Sequence, residues 1–230
     1  MNLKGLIEQF REDADDDTQP FLWGDPKLTR YANQGIEEAA RRARILRDAK
    51  TASVCQYKIK AGEPFVRLHP SIIEVRHAQL RMSNADDPSI TRVHELRRAH
   101  SSDLELEDHG WRECKCEPRR YVTDVETGSI RFDSIPTCDG SLEIEVARLP
   151  LRQLVSPEDC PEIPQQYHAD IVYWMLYRAW SKRDADAGSE AKAESALAKF
   201  ASTFGAPSTA IDEQWRANKA DFRRSRTRWL

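Results

Sequence analysis

Long apolar runs are missing from this chain. The longest, Ile171–Tyr177, falls far short of the ~20 residues that a membrane-spanning helix requires. Met1–Phe10 holds no continuous apolar stretch of the kind that opens a secretory signal. A soluble protein, or a member of a soluble assembly with no membrane partner, is therefore expected. Glycine is scarce, with 9 in 230 residues, which leaves few turns for cradling phosphates. There is no Gly-rich phosphate loop, no His-Glu-x-x-His and no Gly-x-Ser-x-Gly elbow. An excess of one charge sign is also missing: 35 basic residues face 38 acidic ones, a net −3. That balance excludes a surface that grips nucleic acid throughout. The five cysteines (Cys55, Cys114, Cys116, Cys138, Cys160) are odd in number and irregularly spaced, so they form no disulfide framework. A reduced, cytoplasmic place of synthesis fits them.

What is present is charge, at 32 % of residues against roughly 25 % in an average domain, distributed over a clear order of patterns. Leu3, Leu6, Ile7 and Phe10 recur at helical spacing, and an acidic run, Asp13, Asp15, Asp16 and Asp17, follows. Asp25 as N-cap and Pro26 at the first helical position announce a second helix with Leu28, Tyr31, Ile36, Ala39 and Ala43 on one face. From about Thr51 the period changes to two. Strands are expected at Cys55–Lys60, Phe65–Leu68 (returning after the Ala61-Gly62 turn), Ile72–Leu80, Arg119–Thr123, Ser129–Phe132 and Leu142–Arg148. Thr127-Gly128 and Asp139-Gly140 read as hairpin turns. The polar stretch 83–107 is expected to be mainly loop, with a short helix near Thr91–Arg98. Helical period returns over Gln165–Lys182, the most apolar segment. It continues over Ser189–Phe204, with Gly205 just past the end, and over Ala210–Ala220 behind a Ser208 or Thr209 cap.

This order of helices, strands and helices predicts an α+β fold, in which a helical bundle formed by both chain ends carries an inserted antiparallel β-domain. The expected division is 1–49 and 155–222 for the bundle, 50–154 for the β-domain and 223–230 for a basic tail.

Reactive groups are sparse. His109, Cys114 and Cys116, with Cys138 as a possible fourth, are the best zinc candidates. The single-residue spacer between Cys114 and Cys116 is tighter than zinc loops use, so ordinary half-buried cysteines are the preferred reading, with no metal and no cofactor expected. His94 and His100, with Glu95 nearby, read as surface histidines rather than an acid–base pair. His168 is either a buried, hydrogen-bonded residue or part of an interface. The acidic run lacks the glycine and bidentate glutamate of a calcium loop and reads as a solvated loop. From Trp215 to Leu230 there are six basic residues and one acid. Phe222, Arg223, Arg224, Arg226, Arg228, Trp229 and Leu230 combine arginine forks with aromatic anchors, the side chains that dominate protein–protein hot spots. The same mixture also suits phosphates.

Taken together, Leu3, Leu6, Ile7, Phe10, Arg11, Pro20, Phe21, Leu22, Trp23, Asp25, Leu28, Tyr31 and Asn33 resemble the head-to-tail adaptor (connector) proteins of short-tailed bacteriophages. Glu37, Glu38, Ala39, Arg42 and Ala43 continue the similarity. The stretch Gln166–Ala179, with Tyr167, His168, Ile171, Tyr173, Trp174 and Tyr177, and Lys182, Asp184, Ala185 and Asp186 behind it, resembles the same family. The resemblance implies a non-enzymatic virion protein, assembled in the host cytoplasm. Copies would form a ring, of twelve by analogy, seated beneath the portal protein. The ring would extend the DNA channel, with DNA only as passing cargo, and would present a platform to tail or nozzle proteins. By analogy the Arg-rich tail clasps the portal, and Asp13, Asp15, Asp16 and Asp17 are candidates to face the channel. The alternative is a nucleic-acid-binding accessory protein that uses the basic tail.

Overall fold

The computed structural model describes residues 1–83, 91–181, 190–207 and 209–213. The fold is α+β, as the change of period along the chain implies. Two compact units emerge, one from Met1–Arg47 with Arg148–Ser208 and a second centred on Asp48–Ala147.

The first unit is helical. Helix α1 (Leu3–Asp13) buries Leu3, Leu6 and Phe10, and α2 (Asp25–Ala43) buries Leu28, Tyr31, Ile36, Ala39 and Ala40. The cap of α2 falls on Gly24, one residue earlier than expected, which leaves Pro26 in the first turn, where a missing N–H is harmless. The long helix expected over 165–182 is shorter. A 3-10 turn at Gln165–Tyr167 precedes the α-helix proper, Ile171–Trp180. A further helix, Glu190–Phe204, ends at Gly205, whose φ of +92° is the left-handed conformation that glycine adopts freely. These helices share one core, in which Trp174 and Phe200 lie 5.1 Å apart and Phe200 and Phe204 4.7 Å apart. Asn33 fastens the returning chain to α2, accepting from the Leu154 N–H at 2.8 Å and donating to its carbonyl at 2.9 Å.

One ion pair in this unit makes acid sensitivity testable. Burial alone would raise the Glu162 pKa. The hydrogen bond from Arg148 (2.7 Å), the Arg152 and Leu151 N–H groups and the Arg148 charge outweigh it and hold Glu162 below the usual carboxylate range. A lowered folded-state pKa gives stability that is present above the ordinary glutamate value and lost as pH falls through the lowered one. Glu162→Gln should therefore flatten the acid limb of a Tm–pH curve. An unchanged limb would show that the cluster contributes nothing to it.

The second unit is built of β-strands. With β1 at Arg47–Asp48, the strands are β2 (Gln56–Ile59), β3 (Phe65–Arg67), β4 (Ile72–Ser83), β5 (Thr91–Glu95), β6 (Arg97–Arg98), β7 (Arg120–Val122), β8 (Ser129–Phe132) and β9 (Gly140–Arg148). One sheet has the order β1-β9-β4-β5, with β2 also paired to β9, and the other is β3-β8-β7-β6. Both contribute to a single core, with Leu80, Leu142, Ile144 and Val146 from the first and Val66, Tyr121, Ile130 and Phe132 from the second. The alternation expected in β9 holds as far as Val146, with Leu142, Ile144 and Val146 buried and Glu145 exposed, and fails at Ala147, which is buried on the face expected to be wet.

Three local expectations are corrected. The helix near Thr91–Arg98 is instead a pair of strands, and the short helix lies at Ser101–Glu107. β5 gains its state from pairing with β4, Gln79↔Glu95 through Ser83↔Thr91, a non-local contact that overrides weak local propensity. Second, β3 does not return along β2: β2 pairs with β9 and β3 with β8, in different sheets. Third, β8 and β9 also belong to different sheets, so Asp139-Gly140 is a crossing point and not a hairpin turn. The Thr127-Gly128 expectation stands, with β7 and β8 antiparallel and Gly128 at φ +74°.

Candidate interaction surfaces

The acidic run is built around a buried cation. Helix α1 ends at Asp13, and Asp15 takes a left-handed φ of 55° that turns the chain back. Asp16 then points inward, only 6 % exposed. Its carboxylate accepts from the Leu22 N–H (2.7 Å), the Trp23 N–H (3.3 Å) and the Arg11 guanidinium (2.9 Å). Arg11 also donates to the Trp23 carbonyl (3.1 Å) and to Asp25 (2.6 Å), and stacks 3.6 Å from the Phe21 ring centroid. The expectation of a uniformly solvated run is therefore corrected at Asp16, which is a structural acid and not available to a channel. Its two backbone donors and one guanidinium compensate the desolvation that a lone carboxylate would suffer. Asp13, Asp15 and Asp17 remain exposed. At Asp13, partial burial and then the neighbouring Glu12 raise the pKa, opposed by Lys199.

Beside this knot, between α1 and α2, runs a groove of about 1110 Å³. Leu3, Ile7, Phe21, Pro26, Leu154 and Val155 supply its apolar lining, with Glu8, Arg30 and Glu37 among the charged residues. Val155 is 81 % exposed, and Phe21 and the adjoining Leu22 are also exposed. A concave apolar surface rimmed by charge is the type that receives another protein's side chains. Sequence patterning did not point to it, because Gln153–Pro157 is an irregular segment brought to the helices by Asn33.

The other sequence candidates disperse. His94 contacts the Pro118 carbonyl (2.7 Å) and Glu117 (3.3 Å), and His100 contacts Ser102 (2.9 Å) and Asp124 (3.1 Å). Glu95 lies instead by His77 at 3.5 Å. His109 is exposed, with Nδ1 2.6 Å from the Glu105 carbonyl. Among the described residues no group of three or more His, Cys, Asp or Glu side chains could hold a metal ion. Cys114 and Cys116 do meet, with sulfurs 3.3 Å apart and both exposed. His168 is buried and hydrogen-bonded, Nε2 lying 2.8 Å from the Ile163 carbonyl and Nδ1 3.0 Å from that of Met1. The tail residues Phe222, Arg223, Arg224, Arg226, Arg228, Trp229 and Leu230 lie outside the described residues.

These surfaces amount to a stapled acidic loop and an open apolar groove on the helical unit, with no metal-binding cluster among the described residues. The family model of the SU10 adaptor protein matches residues 1–227, and the chain belongs to that family. This agrees with the resemblance to bacteriophage adaptors carried by the two ends of the sequence. The comparison with curated proteins finds no match. Among the described residues no helix is long and apolar enough to cross a membrane.

Proposed function

We propose that this protein is a structural virion component, a head-to-tail adaptor whose copies close into a ring that joins the portal to the tail or nozzle and extends the DNA channel. The observation that carries this reading is the family match over 1–227. A ring of identical subunits needs two different, complementary faces on each copy, and a highly charged surface with a separate apolar groove supplies unlike faces. In this reading both chain ends, 1–49 and 155–222, build one helical bundle, and 50–154 is a domain inserted into it. The ring has twelve copies. Asp13, Asp15 and Asp17 face the channel, where acids keep passing DNA from being held. The basic tail, Phe222–Leu230, docks on the portal through its arginine forks and aromatic anchors.

The test is to mix the purified protein with purified portal and image the product by electron microscopy. Rings seated on portals are expected. Deleting Phe222–Leu230 should abolish docking while leaving the circular dichroism spectrum and Tm unchanged. Full docking by the deleted protein would overturn the assignment of the tail. If the intact protein forms no complex with portal but binds DNA with a steep salt dependence, the adaptor reading fails in favour of a nucleic-acid-binding protein.

A further inference from the structure

We propose that Cys114 and Cys116 form a dithiol site that a small-molecule disulfide, such as oxidised glutathione, converts reversibly to an internal disulfide. In an extended strand, side chains two residues apart share a face but stand ~7 Å apart. Here the two sulfurs converge to 3.3 Å, and closing to a bond of about 2.0 Å asks for a small rotation of two exposed side chains. The backbone beneath them is fixed. The Cys114 carbonyl accepts from the Ile135 N–H at 2.7 Å, Lys115 bridges to Ile135, and the Cys116 carbonyl accepts from Ser134 Oγ at 3.1 Å. Residues 114–116 are thus held on one neighbouring segment while the Cys114 and Cys116 thiols face solvent. The other cysteines are placed differently: Cys55 is buried, and the sulfurs of Cys138 and Cys160 contact Thr137 and the Glu158 carbonyl.

The chemistry balances without a metal. The Cys116 thiolate attacks one sulfur of glutathione disulfide, and one glutathione thiolate leaves. Cys114 then loses its proton and attacks the Cys116 sulfur of the mixed disulfide, releasing the second glutathione. The protein gives up two electrons and two protons, and one glutathione disulfide becomes two glutathiones. In the reduced pair the hydrogen bond with Cys116, then the Cys116 charge, then desolvation, then Asp108 and Asp133 raise the Cys114 pKa above that of an ordinary thiol; the product is the same whichever sulfur attacks first. The ring closed is very short, so it constrains little of the unfolded chain and changes stability little. Its consequence is chemical: two exposed thiols consume each other instead of cross-linking copies of the chain. None of this depends on the adaptor reading.

The test uses the full-length protein, reduced, exposed to oxidised glutathione at about pH 8, alkylated and digested with trypsin. The expected product is Glu113–Lys115 joined to Cys116–Arg119 by a reducible bond. Where trypsin spares Lys115, a single 113–119 peptide two hydrogens lighter carries the same meaning. Cys116→Ser should instead retain one glutathione on Cys114. The proposal is overturned if wild-type Cys114 and Cys116 each keep a glutathione. It is equally overturned if both stay open to alkylation under conditions that modify the exposed Cys160.

Discussion

Arg11→Ala should cost about 3–5 kcal/mol of folding stability, the range observed when one partner of a buried ion pair is removed. The Arg11 side chain is 11 % exposed and that of Asp16 5 %, so the alanine variant leaves a carboxylate in the interior without its cation. The Leu22 and Trp23 N–H groups stay with Asp16 and cannot replace the charge. Arg11 also loses the Trp23 carbonyl and the Phe21 ring. Its bond to Asp25 counts for less, because that carboxylate is 68 % exposed and water screens it. Arg11→Lys should recover only part of the loss, since an ammonium cannot span partners that a planar fork reaches together. Adding Asp16→Asn to Arg11→Ala should restore some stability by removing the orphaned charge, a coupling that a double-mutant cycle reads directly. Denaturant midpoints measure all of these. A loss below about 1 kcal/mol for Arg11→Ala, the level of a surface pair, would refute the buried-clamp description.

Gly140→Val carries the second large effect, and its pattern across substitutions distinguishes two roles for glycine. A Cβ at Gly140 would stand 2.5 Å from the Arg81 carbonyl oxygen and 3.1 Å from Met82 Cγ, so β9 and β4 would have to separate. Forced overpacking of this kind costs about 1–3 kcal/mol for a single methyl and more for a branched side chain. Gly140 is not among the residues with positive φ, whereas Gly128, at +74°, has open space where a Cβ would sit. Asparagine tolerates left-handed backbone. Gly128→Asn should therefore be milder than Gly128→Val. Gly140→Asn should be at least as damaging as Gly140→Ala, because the collision is with backbone. Thermal melts of the five variants decide it, and a harmless Gly140→Ala would show that the strands do not approach so closely.

Gly140 also shows where sequence patterning reaches its limit. Asp-Gly between two alternating segments is the expected signature of a hairpin. The local signal says only that the chain turns, and cannot say that the strands on either side belong to different sheets. The Thr91–Arg98 segment failed for the same reason: its strands exist through pairing with β4 and β7. Elements that carry their own period were legible. The apolar stripes of α1 and α2 and the alternation of β9 as far as Val146 follow from burial of one face, and the Gly205 stop from its left-handed backbone, all of which a segment encodes without its partners.

The candidate surfaces divide along the same line. Family membership was readable from the chain ends, because packing patterns at Leu3–Ala43 and Gln166–Ala179 survive in one dimension. The inward turn of Asp16 was not, since an acidic run looks solvated until the Leu22 and Trp23 amides and Arg11 are seen around it. Nor was the convergence of the Cys114 and Cys116 sulfurs, set by the clamp on residues 134 and 135. The sequence by itself determined the α+β class, the helical and strand segments with strong periods, and the adaptor family. Only the tertiary structure decided which strands share a sheet, which acid is buried and which thiols meet. The physical reason is that period and composition are properties of a segment, while pairing, burial of charge and sulfur contact are properties of segments far apart in the chain.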